Sequence, residues 1–230
     1  MPTPPLPQPS SPGSHRSSGA AGRGVGDGAR STRGIHAQGQ KPVGRLGCVV
    51  AVVMTVVFVP INARVARLLE PRTEDAVLDV ACGAGVFLRR HASHARRVAG
   101  IDHSPAQITL ARRLLHSRLA RGTAEVVQGD AAALPWPDAE FTAVTCNCLD
   151  CFEQPERSLA EMRRVLRPGG RMVVGIDTFD NPTAARRFER KSGLHAWTPR
   201  EFGALLTQAG FEDVTLAALG GRTYAHAARP

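Results

Sequence analysis

Hydrophobic and polar positions fall into a regular alternation from residue 61 onward. Pro60 suits a first helical turn, and NARVARLLEP (62–71) then sets Val65, Leu68 and Leu69 on one helical face. DAVLDVA (75–81) is short and nearly all apolar, the pattern of a strand buried on both sides. A helix is predicted across 85–95, and RVAGID (97–102) reads as a second strand. SPAQ opens the next helix, with Ser104 as N-cap, Pro105 in the first turn and Gln107 closing a capping box. AEVVQ (124–128) and FTAVTC (141–146) are strands three and four. PERSLAEMRRVL (155–166) predicts a helix with Leu159, Met162, Val165 and Leu166 inward, stopped by PGG at 168–170. RMVVGID (171–177) is strand five. Beyond a helical stretch near 183–191, TPRE (198–201) is another capping box, opening EFGALLTQAG. FEDVTLAAL (211–219) and TYAHA (223–227), parted by a GGR turn, predict a closing hairpin. Strands alternating with helices make an α/β fold, a predominantly parallel sheet with helices on both faces.

The N-terminal part is different. In residues 1–44, Gly, Pro and Ser fill half of the positions and large apolar side chains are few, so the segment is predicted to stay disordered. It is Arg- and Ser-rich with one acid, Asp27, which also fits an organelle transit peptide, the lesser reading. The apolar run of 45–60 follows. Its uncharged stretch, LGCVVAVVMTVVFV, has 14 residues, short of the ~20 that cross a bilayer. The run is read as a buried lid, with a membrane anchor as the minority view. A start of translation at Met54 is a further hypothesis, since nothing upstream is patterned like a fold. The domain proper is expected over 61–230.

Composition narrows the class. With 230 residues, 43% hydrophobic and 21% charged, the chain is an ordinary globular protein, neither polytopic nor collagen-like. Five Cys are too few for a disulfide scaffold, and cytoplasm is the expected compartment. The net charge of +9 rests on 27 Arg and only two Lys, with no run of five like charges. That resembles a genomic habit more than a nucleic-acid footprint, so nucleic acid and membrane are not the expected partners.

Candidate chemistry gathers at strand ends, where open α/β sheets bind ligands. Strand one runs into VLDVACGAG (77–85), in which Gly83 and Gly85 leave room for a ligand to approach the backbone. Asp102 ends strand two, 17 residues after Gly85, where a carboxylate can accept both hydroxyls of a ribose. Asp130 ends strand three and can accept from an exocyclic amine, and Asn147 ends strand four.

These segments resemble the class I S-adenosylmethionine-dependent methyltransferases, in particular the small ones related to ubiquinone and menaquinone biosynthesis. The resemblance is carried by VLDVACGAG, VAGIDHS, VQGDAAALPWPDAEFTAVTC, EMRRVLRPGGRMVVG and TPREFGALLTQAGFEDV, and covers about 61–230. It implies a Rossmann-like seven-stranded sheet of order 3-2-1-4-5-7-6 with strand seven antiparallel. It implies S-adenosylmethionine as cofactor and a small-molecule methyl acceptor. By the same resemblance, Asp79, Gly83 and Gly85 shape the pocket for the methionine part, Asp102 holds the ribose, Asp130 and Ala131 the adenine, and Asn147 faces the methionine end. Ala81 stands where Gly is commonest, a mild departure. The tyrosine- and aspartate-bearing N-terminal helix of the quinone enzymes is missing, and 177–197 is short and Arg-rich, which points to an anionic or polar acceptor.

Alternatives remain open. A nicotinamide dinucleotide enzyme needs a third glycine where this chain has Leu88. A silent cofactor-binding or scaffold domain is the non-enzymatic reading. Cys82, Cys146, Cys148 and Cys151 could approach one another as a soft-metal site, but filling small apolar positions is the preferred account and no metal is expected. An activated methyl group needs alignment more than a dedicated catalytic residue. If a base is needed, Asp150, Asp177 and His195 are the candidates, none preferred. Trp136 and Trp197 are read as packing residues.

Overall fold

The structure, a computed structural model, describes residues 59–219 and 222–230. The tail, the apolar run up to Phe58, Met54 and the two glycines of the GGR turn lie outside the described residues. The chain opens with helix α1 (Val59–Leu69), whose buried side chains are Asn62, Val65 and Leu69. The strands are β1 (Ala76–Val80), β2 (Arg97–Asp102), β3 (Ala124–Gln128), β4 (Phe141–Cys146), β5 (Leu166–Asp177), β6 (Glu212–Leu219) and β7 (Arg222–Ala228). Between them lie α2 (Val86–Arg90), α3 (Pro105–Leu114), α4 (His116–Ala120), α5 (Pro155–Val165), α6 (Pro182–Ser192) and α7 (Pro199–Gln208).

The sheet has the order β3-β2-β1-β4-β5-β7-β6. Neighbours among β1 to β5 run parallel, while β7 is antiparallel to both β5 and β6. The order expected from the family resemblance is the one found. Every residue of β1 and β4 is buried, which is why both read as largely apolar runs, broken only by Asp79, Thr142 and Thr145. Side chains alternate between two cores. On one face Leu78, Val80, Val144, Met172 and Val174 meet Leu159, Met162 and Val165 of α5 and Phe202 and Leu206 of α7. On the other, Val77, Val98, Ala143 and Val173 meet α1, α2 and α3 through Val65, Leu69, Phe87, Leu88, Ile108 and Ala111. Trp136 packs edge-on against Phe141 and donates its indole N–H to Glu125 at 2.9 Å, so it is a core residue.

Some expectations need correction. The helix predicted over 85–95 is the single short turn pair of α2, because HASHA (91–95) folds into turns. β5 begins at Leu166, not at 171: the PGG segment leaves α5 and pairs at once, with Gly169 N–H donating to Arg229 O and Arg229 N–H to Gly170 O. At α3 only half of the capping box forms. Ser104 accepts from the Gln107 amide, but the Gln107 side chain turns to Gly83 instead. The box at Thr198 and Glu201 is complete.

Candidate functional site

The ends of β1 and β2 are built by a tight loop. Ala81, Gly83 and Gly85 all have left-handed backbone, with φ of 57°, 53° and 75°. Three such residues among five fold the chain back so that the Gly83 amide points at β2. It donates to Asp102 Oδ2 at 2.9 Å, while the Ser104 amide donates to Oδ1 at the same distance. The departure at Ala81 is therefore one of backbone: a glycine there would be unstrained, whereas alanine in the left-handed region costs about 1–2 kcal/mol. Gly85 also has another role than expected. A Cβ on it would press on Leu115 Cδ1 at 3.2 Å and Ala111 Cβ at 3.3 Å, so its bare face is taken by α3 packing. Gly83 has more room, and its nearest neighbour is Gln107, whose Oε1 is buried without a partner.

Asp79 stands two residues before this loop, only 3% exposed. Burial, with Asp102 nearby, pushes its carboxyl well above the usual range. Asp130 follows β3, which is tied to β2 through Gly129 N–H and Asp102 O at 3.1 Å. Its carboxylate is exposed and caps its own turn by accepting from the Ala132 amide at 2.9 Å, with half-buried Ala131 between them. Asp79, Gly83, Asp102 and Asp130 thus share one edge of the sheet.

Asn147 extends that edge beyond β4. It donates from Nδ2 to Asn62 of α1 at 3.4 Å, so α1 closes over the strand ends. Its Oδ1 is buried without a partner, as are the hydroxyls of Thr145 and Tyr224. These three orphaned groups belong to the α1 face: a Cβ on Gly175 would lie 2.9 Å from the Tyr224 ring and 3.1 Å from Asn147 Oδ1. Sequence reading found Asn147 but missed Asn62, Thr145, Tyr224 and Gln107. No local signal marks a polar residue inside an apolar run as facing a shared pocket.

At the mouth of β4, β5 and β7 lies a second polar group. Arg222 donates to Asp177 Oδ1 at 2.8 Å and to the carbonyls of Asn147 and Gly175. Asp150, in the 3-10 turn Leu149–Cys151, is 9% exposed. His195, in contrast, is exposed and stands against Trp197 and Glu189. Cys148 lies near both Cys146 and Cys151. Even so, among the described residues no group of three or more His, Cys, Asp or Glu is placed to hold a metal ion. A shallow groove is lined by Ala132, Leu134, Arg157, Glu161 and Arg164, beginning just beyond Asp130.

Residues 77–170 match the family model described as "Methyltransferase domain". This stretch is a methyltransferase domain. The domain is similar to demethylmenaquinone methyltransferase of Renibacterium salmoninarum, 37% identical over 108 residues that make up 46% of this chain and 42% of that protein. It is also similar to phosphatidylethanolamine N-methyltransferase of Cereibacter sphaeroides, 34% identical over 145 residues, 59% of this chain and 66% of that one. Among solved structures, the phosphoethanolamine methyltransferase 2 of Haemonchus contortus, crystallised with phosphomonomethylethanolamine and S-adenosylhomocysteine, shares the fold at a TM-score of 0.68 and 12% identity, over 86% of this chain and 60% of that one. The chain spans about a third to a half of the length of the first curated relatives it matches. Among the described residues no helix of this methyltransferase domain is long and apolar enough to cross a membrane.

Proposed function

We propose that this chain is an S-adenosylmethionine-dependent methyltransferase that acts on a small-molecule acceptor, its domain running from α1 to the C-terminus. The observation that carries the reading is the Asp102 carboxylate fixed by the Gly83 and Ser104 amides at the mouth of the β1 loop. A carboxylate so oriented keeps lone pairs for two vicinal hydroxyls. It also argues against the dinucleotide alternative. The loop amide that a pyrophosphate would use is already taken.

The remaining residues fit the same ligand. Asp79 and Gln107 flank Gly83 and would hold the cationic amino-acid end, and Asp130 with Ala131 would meet the adenine. The partnerless Thr145, Asn147 and Tyr224 groups are what a polar ligand would satisfy, since each costs about 1–3 kcal/mol when left unpaired. When bound, the cofactor supplies an already activated methyl group. The chain then has to orient the acceptor and exclude water, and α1 closing through Asn62 does the second. Four unpaired thiols among the described residues support a reducing compartment, the cytoplasm. The acceptor is not a quinone by necessity: the relatives named above act on a quinone and on a phospholipid amine.

Calorimetric titration with S-adenosylmethionine and S-adenosylhomocysteine tests the reading. Both are expected to bind, and Asp102→Ala to weaken both. Absence of binding by either leaves only the scaffold alternative.

A further inference from the structure

The carboxyl ends of β4 and β5, beside the start of β7, hold a buried acid with one oxygen unpartnered. Asp150 is 9% exposed and its Oδ1 has no partner. Its other oxygen accepts only a long bond, 3.4 Å from the Asp177 amide. A guanidinium is close by: Arg222 donates from its two terminal nitrogens to Asp177 and to the Asn147 and Gly175 carbonyls, and its Nε–H is buried without a partner. The charged and titratable groups facing Asp150 are therefore Arg222 on β7, Asp177 on β5, and Cys148 and Cys151 of its own turn. Burying a carboxyl with one oxygen unpartnered costs stability. Its place, three residues after Asn147 and against the Asp177 amide, is at the carboxyl ends of β4 and β5.

Resting on the reading of this edge as a methyl-donor pocket, we infer that Asp150 is its acid–base residue. The carboxyl gives up its proton as the cationic donor enters, and the carboxylate then accepts the proton shed by the methyl acceptor. The balance is simple. The acceptor's proton passes to Asp150 Oδ1, the electron pair so made available forms the new bond to the methyl carbon, and the carbon–sulfur pair stays on sulfur. The acceptor is then a group that sheds a proton on methylation: a hydroxyl, an acidic carbon or an ammonium. Burial supports this assignment, since it pushes the Asp150 carboxyl up to about 6, with Arg222 opposing and Asp177 reinforcing. A group so poised exchanges its proton near neutral pH.

The test is proton-linked binding by the intact wild-type chain. Calorimetry at pH 6 in buffers of low and high ionisation enthalpy counts protons released on binding. S-adenosylmethionine and S-adenosylhomocysteine differ at the reacting centre by the sulfonium charge. Release with the first is expected to exceed release with the second by about half a proton near the group's pKa, the excess fading at pH 8, where Asp150 is already ionised. Asp150→Asn, close in shape, is expected to abolish the excess while binding continues, and Asp177→Asn to keep it. Equal proton counts for the two ligands in wild-type protein, or an unchanged excess in Asp150→Asn, overturn the inference and leave the donor pocket standing. Failure of both ligands to bind removes the donor pocket itself and the inference with it.

Discussion

Arg171 of β5 and Asp75, just before β1, form an ion pair across the amino end of the sheet, with the carboxylate 2% exposed. Arg171 also donates to the carbonyls of Leu69 and Glu70, and Asp75 accepts from the Thr142 hydroxyl and the Arg72 amide. One pair thus fastens the end of α1 to β1, β4 and β5. Burial on its own would raise the Asp75 carboxyl, but the hydrogen bonds from Arg171, Thr142 and Arg72 outweigh it and hold it below its ordinary value. A lowered carboxyl contributes stability that is present above its unfolded pKa, about 4, and is lost as pH falls through the folded value. Arg171→Met is expected to cost about 3–5 kcal/mol in urea unfolding at pH 7 by leaving a buried charge unpaired. The deficit should shrink as pH falls from about 5 to 2, and a deficit independent of pH would contradict the pairing.

Asp102 joins the loop to the ligand edge, so its removal has two effects. Asp102→Ala frees the Gly83 and Ser104 amides and removes the acceptor for a ribose. We expect cofactor affinity to fall by about 1–3 kcal/mol, roughly five- to 150-fold. Asp102→Asn should keep one of the two amide bonds and lose less. Unchanged affinity for S-adenosylhomocysteine in the alanine variant would move the pocket elsewhere.

Gly175 reports on the α1 side of the site. A methyl group there would stand 2.9 Å from the Tyr224 ring and 3.1 Å from Asn147 Oδ1, closer than ordinary contact. Gly175→Ala is expected to cost about 1–3 kcal/mol in stability through overpacking. Its effect on cofactor affinity should be larger than that of Gly122→Ala, where nothing lies within 4 Å. Equal affinities in the two variants would show that Asn147 and Tyr224 take no part in binding.

Local rules made most of the fold legible. Buried strands appear as apolar runs, Thr198 and Glu201 cap a helix within four residues, and alternating strands and helices dictate a parallel sheet. What escaped the sequence depends on tertiary approach. Arg118 is the clearest case: it looks like one more surface arginine, yet it is 8% exposed and donates to the carbonyls of Ala92, Ser93, Ala95, Arg96 and Thr123. No carboxylate announces it, since its partners are all backbone. Thr145 and Tyr224 are equally invisible, because only the pairing of β4, β5 and β7 turns them to one face. At Ala81 the motif was legible but its backbone cost was not, since φ cannot be read from residue spacing.

The Asp150 carboxyl also bears on stability, and the sign is opposite to that at Asp75. Burial raises it to about 6, so the folded chain binds a proton that the unfolded chain has already released between about pH 4 and 6. Ionising it in place therefore destabilises the fold, progressively from about pH 4 and fully above about pH 6. Asp150→Asn removes that cost while keeping an oxygen to accept from the Asp177 amide. The variant is expected to be more stable than wild type at pH 8 by roughly 2–3 kcal/mol, with the gain vanishing near pH 4. Urea midpoints at pH 4.5, 6 and 8 measure it. A substitution that stabilises the fold while abolishing donor-linked proton release would separate a functional acid from a structural one, because a structural acid would lose stability when replaced.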